Sequence, residues 1–492
     1  MNSEHIYDAI TKVNDGLVDA AGDFRNEGKC KPHKRNLRKH SIYFALTALV
    51  TAAAILAGVI FWPDAASSRL LKAYAITEAE YPKMVQYPKD FSEDDPEFAS
   101  GYTDWYTSFY QHQSRVTTDY APTLRNYAIN SLRTFLSDTD AQNRSISPLN
   151  IFMALGMLAE ITDGNSREQL LDALACSTIE ELRSTASSVW NANYRNDGIM
   201  TNILASSLWL NENIRFNSDT MNTLANTYYA SSYRGEMGSP DFNTALQSWL
   251  NEQTGGLLEE QVSDISLNPL TAIALATTVQ FQAKWDSKFA QKNTTEHAFH
   301  SPNGDVTCDF MHSSDSSLYY WGNMFSAVSL PFAEGGQMTI LLPDEGYTPD
   351  DLLADTEALD FMTSNPYDWE NQKYLIVNKA IPKFDISSQL ELSNGLKTLG
   401  ITDVFDATVS DYSPLTKDLT APLALSEALH GTRVTIDEDG CTAVAYTVLL
   451  TDGAAPPPED EVDFVADRPF LFVISYTDGL PLFAGVVNQP VE

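Results

Sequence analysis

Apolar and polar residues follow two different periods along the chain, and the change of period separates helices from strands. Apolar residues recur at helical spacing in four segments: Ala121–Asp138, Pro148–Ile161, Phe242–Leu258 and Ser387–Gly400. From about Ile203 onward, short runs of bulky and branched residues with the length of strands dominate between the helices. No repeat and no internal linker interrupts residues 118–492. The pattern therefore predicts one large α+β domain over those residues.

The longest apolar run lies near the N-terminus. Ser41–Trp62 has no charged residue, and as a helix it spans roughly 33 Å, enough for a bilayer core. A cleaved signal peptide has a shorter leader and a shorter apolar run, and a buried core helix would have a polar face, so both alternatives are less favoured. Six basic residues between Lys29 and Lys39 precede the run, which places residues 1–40 in the cytoplasm. We predict a single-pass protein with a cytoplasmic basic tail, a signal-anchor helix at 41–62 and an extracellular remainder.

Residues 63–117 lack the pattern of a packed domain. They contain two Tyr-Pro pairs, then the acidic run FSEDDPEF and the aromatic-rich run GYTDWYTSFYQ. A residue before proline favours an extended backbone. We therefore predict an extracellular stalk over residues 63–117, extended at first and helical from Tyr102.

The composition and motifs argue against several function classes. The chain has 31 Lys and Arg against 66 Asp and Glu, a net charge of -35, so repulsion from phosphate argues against a nucleic-acid partner. It contains no HExxH, GxSxG, P-loop or CxxC motif. No histidine outside the tail stands at metal-ligand spacing with a cysteine or carboxylate. We therefore predict no catalytic residues, no metal site and no cofactor.

The most informative segment lies near the C-terminus. Cys441, Ala443, Ala445 and Thr447 alternate with Thr442, Val444, Tyr446 and Val448. In an extended chain the first four side chains, all small, face one way. A polar, proline-rich stretch follows. The segment is typical of a strand that can enter a packed sheet.

Five segments, in the right order, resemble the serpin family. They are NRSISPLNIFMALGMLAEITDGNSREQL, SWLNEQTGGLL, ALATTVQFQAKWDSKF, SLPFAEGGQMTILLPDEG and FVADRPFLFVISYTDGLPLFAGVVNQP. The last resembles the family signature almost residue for residue. The resemblance covers residues 118–492 and implies a serpin fold with three β-sheets, about nine helices and an exposed reactive loop.

The resemblance also implies a function. Inhibitory serpins act as single-use substrates: a serine protease cleaves the reactive loop and is acylated, and the loop then inserts as a strand into the central sheet. Pulling the protease against the sheet distorts its oxyanion hole, so the acyl-enzyme is not hydrolysed. The implied partner is an extracellular serine protease, held in a covalent acyl complex.

Family motifs assign roles to ten residues of this chain. The hinge that begins insertion falls on Glu438, Gly440, Cys441, Ala443, Ala445 and Thr447. A polar cluster beneath the sheet opening, called the shutter in this family, falls on Ser147, Asn150, Thr277 and His430.

The chain departs from the family pattern at four of these positions or beside them. Cys441 stands where Thr or Ser is usual, and Tyr446 where Ala is usual. Asn150 replaces a Ser, and Thr277 replaces an Asn. Cys441 either substitutes for Ser without effect or acts as a redox gate, since an oxidised thiol would obstruct insertion.

The reactive bond follows from counting residues after the hinge. Inhibitory members place it about 17 residues from the hinge glutamate, which puts it between Ala454 and Ala455. Ala455–Pro456 is the alternative, but bonds before proline are cut poorly. The loop offers no Arg or Lys, and a small Ala suits elastase-like or subtilisin-like proteases. Two other functions stay open: a non-inhibitory serpin acting as a binding or carrier module, and a cysteine-protease inhibitor.

Overall fold

The computed structural model describes residues 65–88, 96–333, 335–417, 422–441, 458, 460–476 and 478–491. The predicted cytoplasmic tail, the predicted membrane helix at 41–62 and the predicted reactive bond at Ala454 and Ala455 lie outside these residues. The hinge residues Ala443, Ala445 and Thr447 also lie outside them.

The described residues form twelve α-helices, one of them only four residues long, where about nine were predicted. The helices are α1 (Ala65–Tyr74), α2 (Pro96–Gln113), α3 (Ala121–Leu136), α4 (Pro148–Glu160), α5 (Gly164–Ala173), α6 (Ile179–Asn193), α7 (Ser218–Thr227), α8 (Pro240–Gln253), α9 (Glu259–Val262), α10 (Pro349–Ala354), α11 (Thr356–Met362) and α12 (Ser393–Thr398). Apolar stripes explain the longer ones; α3, for example, buries Leu124, Ala128 and Leu132 on one face. The helices beyond the predicted number are α1, α2 and the short helices that lie between strands.

The same part of the chain contains seventeen strands. They are β1 (Ala75–Thr77), β2 (Arg144–Ile146), β3 (Arg195–Asn196), β4 (Thr201–Asn211), β5 (Ala230–Gly235), β6 (Ile273–Lys284), β7 (Thr295–Ser301), β8 (Gly304–Trp321), β9 (Phe325–Pro331), β10 (Gln337–Pro343), β11 (Gln372–Pro382), β12 (Phe384–Glu391), β13 (Leu425–Ile436), β14 (Gly440–Cys441), β15 (Glu461–Val465), β16 (Phe470–Ser475) and β17 (Pro481–Val487). The segment predicted as helical over Ser387–Gly400 is instead half strand, because β12 joins a sheet edge and leaves only α12 as helix.

Hydrogen bonds join these strands into two sheets, where the resemblance predicted three. Sheet A has the order β1-β5-β4-β6-β14-β13-β12, with β3 beside β4. Sheet B has the order β15-β11-β8-β9-β10-β16-β17-β2, with β7 beside β8. The 18-residue strand β8 pairs with β7 and β11 along most of its length and with β9 at its end. Because β8 takes part in the hydrogen-bond ladders of both, two of the three predicted sheets are joined into one.

Helix α4 lies at the centre of the core. All 13 of its residues are buried, which is why its sequence is apolar on every side. Ser147 caps it by accepting a hydrogen bond from the backbone N–H of Asn150, and Pro148 occupies its first turn. A Cβ at Gly156 would lie 2.7 Å from the ring of Tyr228. The helix contacts β4 and β6 of sheet A and β17 of sheet B, so it positions the face of sheet A on which the candidate site lies.

The segment predicted as a stalk packs onto the domain in its described part. Helix α1 buries Leu71, and β1 pairs with β5 at the edge of sheet A. Helix α2 begins at Pro96 and buries Trp105, whose Nε1 donates to Oδ2 of Asp197 at 3.0 Å. Large aromatic side chains stabilise a fold only when they pack, and this segment is rich in them. It therefore lies on the domain instead of extending away from it.

The predicted membrane localisation is corrected by the helices of the described residues. None of them is both long enough and apolar enough to cross a bilayer. The longest, α2, mixes polar and aromatic residues throughout its 18 positions. This finding overturns the prediction of a single-pass membrane protein; the apolar run Ser41–Trp62, on which that prediction rested, lies outside the described residues.

Replacing Trp105 with alanine tests the docking of α2. Trp105 is 1% exposed and Tyr106, its neighbour on the same helix, is 44% exposed. We expect Trp105→Ala to lower the free energy of unfolding by about 3 kcal/mol, since it removes a buried ring. We expect Tyr106→Ala to change that free energy by less than about 0.5 kcal/mol, since its ring faces solvent. Urea unfolding measures both, and equal effects would contradict the docked position of α2.

Candidate functional site

Strand β14 is only two residues long, yet it lies between two longer strands at the centre of sheet A. Cys441 is antiparallel to Ala283 of β6 on one side and to Ile436 of β13 on the other. Gly440 lies opposite Lys284, and a Cβ at Gly440 would be 2.3 Å from the carbonyl oxygen of Ala283. Glycine allows this close approach of two backbones. The first residues of the predicted hinge are thus already inside the sheet.

Sheet A is forked below β14. Strands β6 and β13 pair directly, in parallel, only where Ile273–Thr278 lies beside Leu425–Gly431. Above this closed stretch β14 separates the two strands at their far ends. Between the closed stretch and β14, β6 and β13 show no pairing with each other in the part of the chain that the structure describes. The two strands are therefore unpaired with each other over a few residues. This gap continues the line of β14.

The turn leading into β14 is held at the end of β6. Oδ1 of Asp437 accepts hydrogen bonds from the backbone N–H groups of Asp439 and Gly440 at 2.8 and 3.1 Å. Nε1 of Trp285 donates to the carbonyl oxygen of Asp437 at 2.8 Å. Nζ of Lys288 lies 2.7 Å from Oδ1 of Asp439. These contacts fix the position of the turn from which the predicted hinge starts.

Glu438 ties this turn to the connection between β11 and β12. Its Oε1 accepts a hydrogen bond from Thr294 at 2.7 Å, and its Oε2 lies 3.1 Å from Nζ of Lys383. Burial opposes the charged form, but the hydrogen bonds from Thr294 and Lys383 outweigh it and hold the pKa of Glu438 below its ordinary value. Glu438 is therefore ionised at neutral pH.

The predicted shutter residues meet beneath the closed stretch. His430 is the strand partner of Thr277 across β13 and β6. The backbone N–H of Ser147 donates to Nε2 of His430 at 3.0 Å, so the imidazole proton lies on Nδ1. Burial lowers the pKa of His430 to about 3. The imidazole is therefore neutral at physiological pH.

Asn150 extends from α4 into the sheet. Its Nδ2 donates to the carbonyl oxygens of Thr278 at 2.7 Å and Ala205 at 3.5 Å. Thr277 donates from Oγ1 to the same oxygen of Ala205 at 3.2 Å. The amide that the family pattern places on β6 is thus supplied here by α4, with a hydroxyl on the strand. The polar network is kept, although the amide now lies on the helix and the hydroxyl on the strand.

Two buried atoms of this network have no hydrogen-bond partner among the described residues. They are Nδ1 of His430 and Oδ1 of Asn150. An unsatisfied buried polar atom costs on the order of 1 to 3 kcal/mol. The closed stretch of the fork therefore carries a polar cost at these two atoms.

The structure brings together residues that sequence reasoning did not select. Trp285, which anchors the hinge turn, lies within a motif that was recognised, so its role had a signal in the sequence. Lys383 is far from Glu438 along the chain, and no local pattern connects them. A second buried cluster also lies beside the shutter: Oγ of Ser145 is 2.9 Å from Oγ1 of Thr432, and its backbone N–H donates to Ser388 at 2.8 Å.

Comparisons with known proteins agree with this architecture. The family model described as "Serpin (serine protease inhibitor)" matches residues 122–490. Serpin-ZX of Arabidopsis thaliana is 28% identical over 395 residues, covering 75% of this chain and 98% of that protein. Leukocyte elastase inhibitor of Homo sapiens is 27% identical over 375 residues, covering 74% and 97%. The crystal structure of the thermophilic serpin tengpin in its native state superposes with a TM-score of 0.68 at 24% identity, covering 76% and 95%.

Substituting Lys383 tests the anchor of Glu438. A carboxylate with a lowered folded-state pKa contributes stability above its unfolded pKa, and that contribution is lost as pH falls through the folded pKa. We expect Lys383→Met to raise amide hydrogen exchange at residues 437–441 roughly fivefold at pH 7, the size of a partly exposed ion pair. The difference from the wild type should shrink as pH falls through the lowered folded-state pKa of Glu438, because its carboxylate is then protonated in both proteins. A difference that stayed constant as the pH fell into the acid range would contradict this origin.

Proposed function

The chain belongs to the serpin family, and on this basis we propose that it is a suicide-substrate inhibitor of serine proteases. The family is one of protease inhibitors rather than catalysts. The observation that carries the proposal is the position of β14, in which the start of the hinge already pairs with β6 and β13.

The register of β14 predicts where the rest of the loop would go. Each further residue along an antiparallel strand moves one residue back along both neighbours. From the pairs of Cys441, the next inward residues would meet the following partners: Ala443 with Phe281 and Val434, Ala445 with Val279 and Thr432, and Thr447 with Thr277 and His430. The predicted hinge therefore ends at the predicted shutter, which supports both assignments.

The chemistry of these partners suits the inserting residues. Phe281, Val279 and Val434 are buried on the core face of sheet A, so small uncharged residues would fit there and charged ones would not. Further down, Thr447 would bring a hydroxyl beside His430, whose Nδ1 has no partner among the described residues. Insertion would then satisfy an atom that the closed fork leaves unsatisfied.

The inhibitory cycle begins as ordinary proteolysis. The protease serine attacks the carbonyl carbon of Ala454, the amine of Ala455 leaves with a proton, and an ester joins inhibitor and enzyme. Insertion from Gly440 to Ala454 then carries the enzyme about 50 Å along sheet A. Tension on the ester distorts the oxyanion hole that hydrolysis requires, where one lost donor costs about 10² to 10³ in rate.

The reactive bond that we propose indicates the target class. Ala454 is small, and no Arg or Lys lies between Leu449 and Phe464, so proteases whose pockets require a cation are poor candidates. Elastase-like and subtilisin-like proteases accept a small residue. Cleavage one residue later is disfavoured because Pro456 follows Ala455.

The second candidate function is a non-inhibitory binding or carrier module. Tyr446, a bulky residue within the hinge, is the observation that favours it. A cysteine-protease inhibitor would use the same loop and insertion, with a thioester in place of the ester. Nicking the loop separates the carrier from both inhibitors, because an inserted strand raises the melting temperature and a loop that stays outside does not.

Incubation with pancreatic elastase tests the reactive bond. We expect an SDS-stable complex and release of a C-terminal fragment that begins at Ala455, because the ester survives denaturation. The Ala454→Arg variant should lose elastase inhibition and form the complex with trypsin instead. Gel electrophoresis with mass spectrometry of the fragment checks both results. Nicking without a complex in both proteins would indicate a substrate or a carrier.

Adjacent hinge variants test the predicted register. Ala443→Arg would place a charge between Phe281 and Val434, whereas Thr442→Arg would place it on the opposite face, beside the half-exposed Gln282 and Thr435. We expect the first to raise the number of inhibitor molecules consumed per protease by about tenfold or more, and the second by less than about twofold. Titration of elastase activity measures this ratio. Equal effects of the two variants would contradict the register.

A further inference from the structure

Residues 65–88 lie before the region that matches the family, which begins at residue 122. We call this segment, with α1 and β1, the N-terminal strap. It contacts helix α8 at both ends. The rings of Tyr74 and Phe242 meet edge to face at 4.9 Å, and Leu71 is buried in the same apolar cluster. At the other end of α8, the hydroxyl of Tyr81 donates to Oε1 of Gln253 at 3.1 Å.

The strap also extends sheet A by one strand. Thr77 of β1 is the partner of Ser232 of β5, and the backbone N–H of Ala79 donates to Oγ of Ser231 at 3.0 Å. Helix α8 lies over the outer face of the sheet, where it covers Ala274 of β6 and Trp209 of β4. The strap thus joins α8 to the edge of sheet A that is far from the fork.

On the other side, the segment after α8 crosses the fork. Nη1 of Arg433 on β13 donates to the carbonyl oxygen of Leu257 at 2.5 Å, and Nε2 of Gln389 on β12 donates to the carbonyl oxygen of Gln261. Helix α8 and this segment are therefore held on both halves of sheet A. A new strand between β6 and β13 widens the sheet by about 4.8 Å, so the contacts with one of the two halves must break.

Tyr446 makes the obstruction larger. By the register of β14 it would lie between Thr278 and Gly431 on the outer face. Leu258 covers that place, because a Cβ at Gly431 would be only 3.2 Å from its Cδ1. A tyrosine ring inserted there would have to push the segment after α8 outward. The bulk of Tyr446 and the clamped position of α8 therefore both oppose insertion of the loop into sheet A.

We propose that the N-terminal strap is a brake on loop insertion: by clamping α8 against the edge of sheet A, it slows the movement of α8 that insertion of Tyr446 requires. The inference uses the loop insertion of the proposed function, but the strap contacts stand independently of it. The brake preserves the uninserted form before a protease arrives and sets the speed of insertion after cleavage.

Full-length variants with a nicked loop test the brake. Thermolysin in excess is used to cut the predicted reactive loop, because a metalloprotease forms no acyl-enzyme. Insertion is then followed with time by the change in tryptophan fluorescence and by the gain in melting temperature. We expect the double variant Leu71→Ala/Tyr74→Ala to insert at least about tenfold faster than wild type, since burial of Leu71 alone exceeds the free energy of one tenfold change. The Tyr106→Ala variant changes an exposed ring outside the strap and should insert at the wild-type rate.

A gentler variant covers the case in which the double variant does not fold. Tyr81→Phe removes only the hydroxyl that reaches Gln253, and we expect it to insert about threefold faster, in line with the loss of one hydrogen bond. Unchanged rates in the variants that fold would overturn the brake, and so would the absence of insertion in every protein. Insertion in the strap variants but not in the wild type would support it.

The same proteins separate this inference from the proposed function. If wild type inserts its nicked loop but forms no complex with elastase, the inhibitory proposal fails while the brake is still measured. If the complex forms and all variants insert at one rate, the brake fails and the inhibitory proposal stands.

Discussion

The structure depends on the parallel pairing between β6 and β13 at the centre of sheet A. This pairing closes the lower part of a fork whose upper end is held apart by Gly440 and Cys441. Parallel pairs are slightly less stable per residue than antiparallel ones. Inserting an antiparallel strand would replace one parallel pairing with two antiparallel ones. The loop insertion that we propose would therefore exchange the closed stretch for a more favourable pairing.

The buried polar groups lie where this choice is made. His430 and Thr277 face each other across the closed pair, and Ser147 and Asn150 connect them to α4 at the centre of the core. Such a network fixes one packing of the helix against the sheet, since an amide or imidazole cannot slide in an apolar core without losing its partners. Among the described residues it also leaves Nδ1 of His430 and Oδ1 of Asn150 without a hydrogen-bond partner. One cluster thus both holds the closed arrangement and limits its stability.

At the end of the fork occupied by β14, ion pairs and an indole hydrogen bond take the place of the buried polar network. The hinge turn is held by Glu438 with Lys383, by Asp439 with Lys288 and by the indole of Trp285. These contacts join residues from three separate parts of the chain at the turn that precedes β14. The kind of interaction therefore differs along the sheet. The contacts of the predicted shutter are neutral and buried, whereas those of the predicted hinge turn are charged and partly exposed.

The chain's own departures from its family meet around α8. Tyr446, which is usually a small residue, would insert on the face that α8 covers, and the strap that holds α8 precedes the part of the chain that the family model matches. A bulky hinge residue and an added clamp both act on the movement of one helix. This coincidence gives the N-terminal segment a role that the family resemblance alone does not supply.

Local chemistry determined what the sequence could predict by itself. The helices α3, α4 and α8 were recognised from apolar spacing, because that pattern is confined to neighbouring residues. The alternation of small residues that predicts an inserting strand is local in the same way. The motifs that select Ser147, Asn150, Thr277 and His430 are equally local. Only the tertiary structure decided that these four meet, that β8 merges two sheets and that the predicted stalk packs on the domain. Those outcomes depend on contacts between residues more than a hundred positions apart, such as Ser147 with His430 and Trp285 with Asp437, and no periodicity along the chain records such contacts.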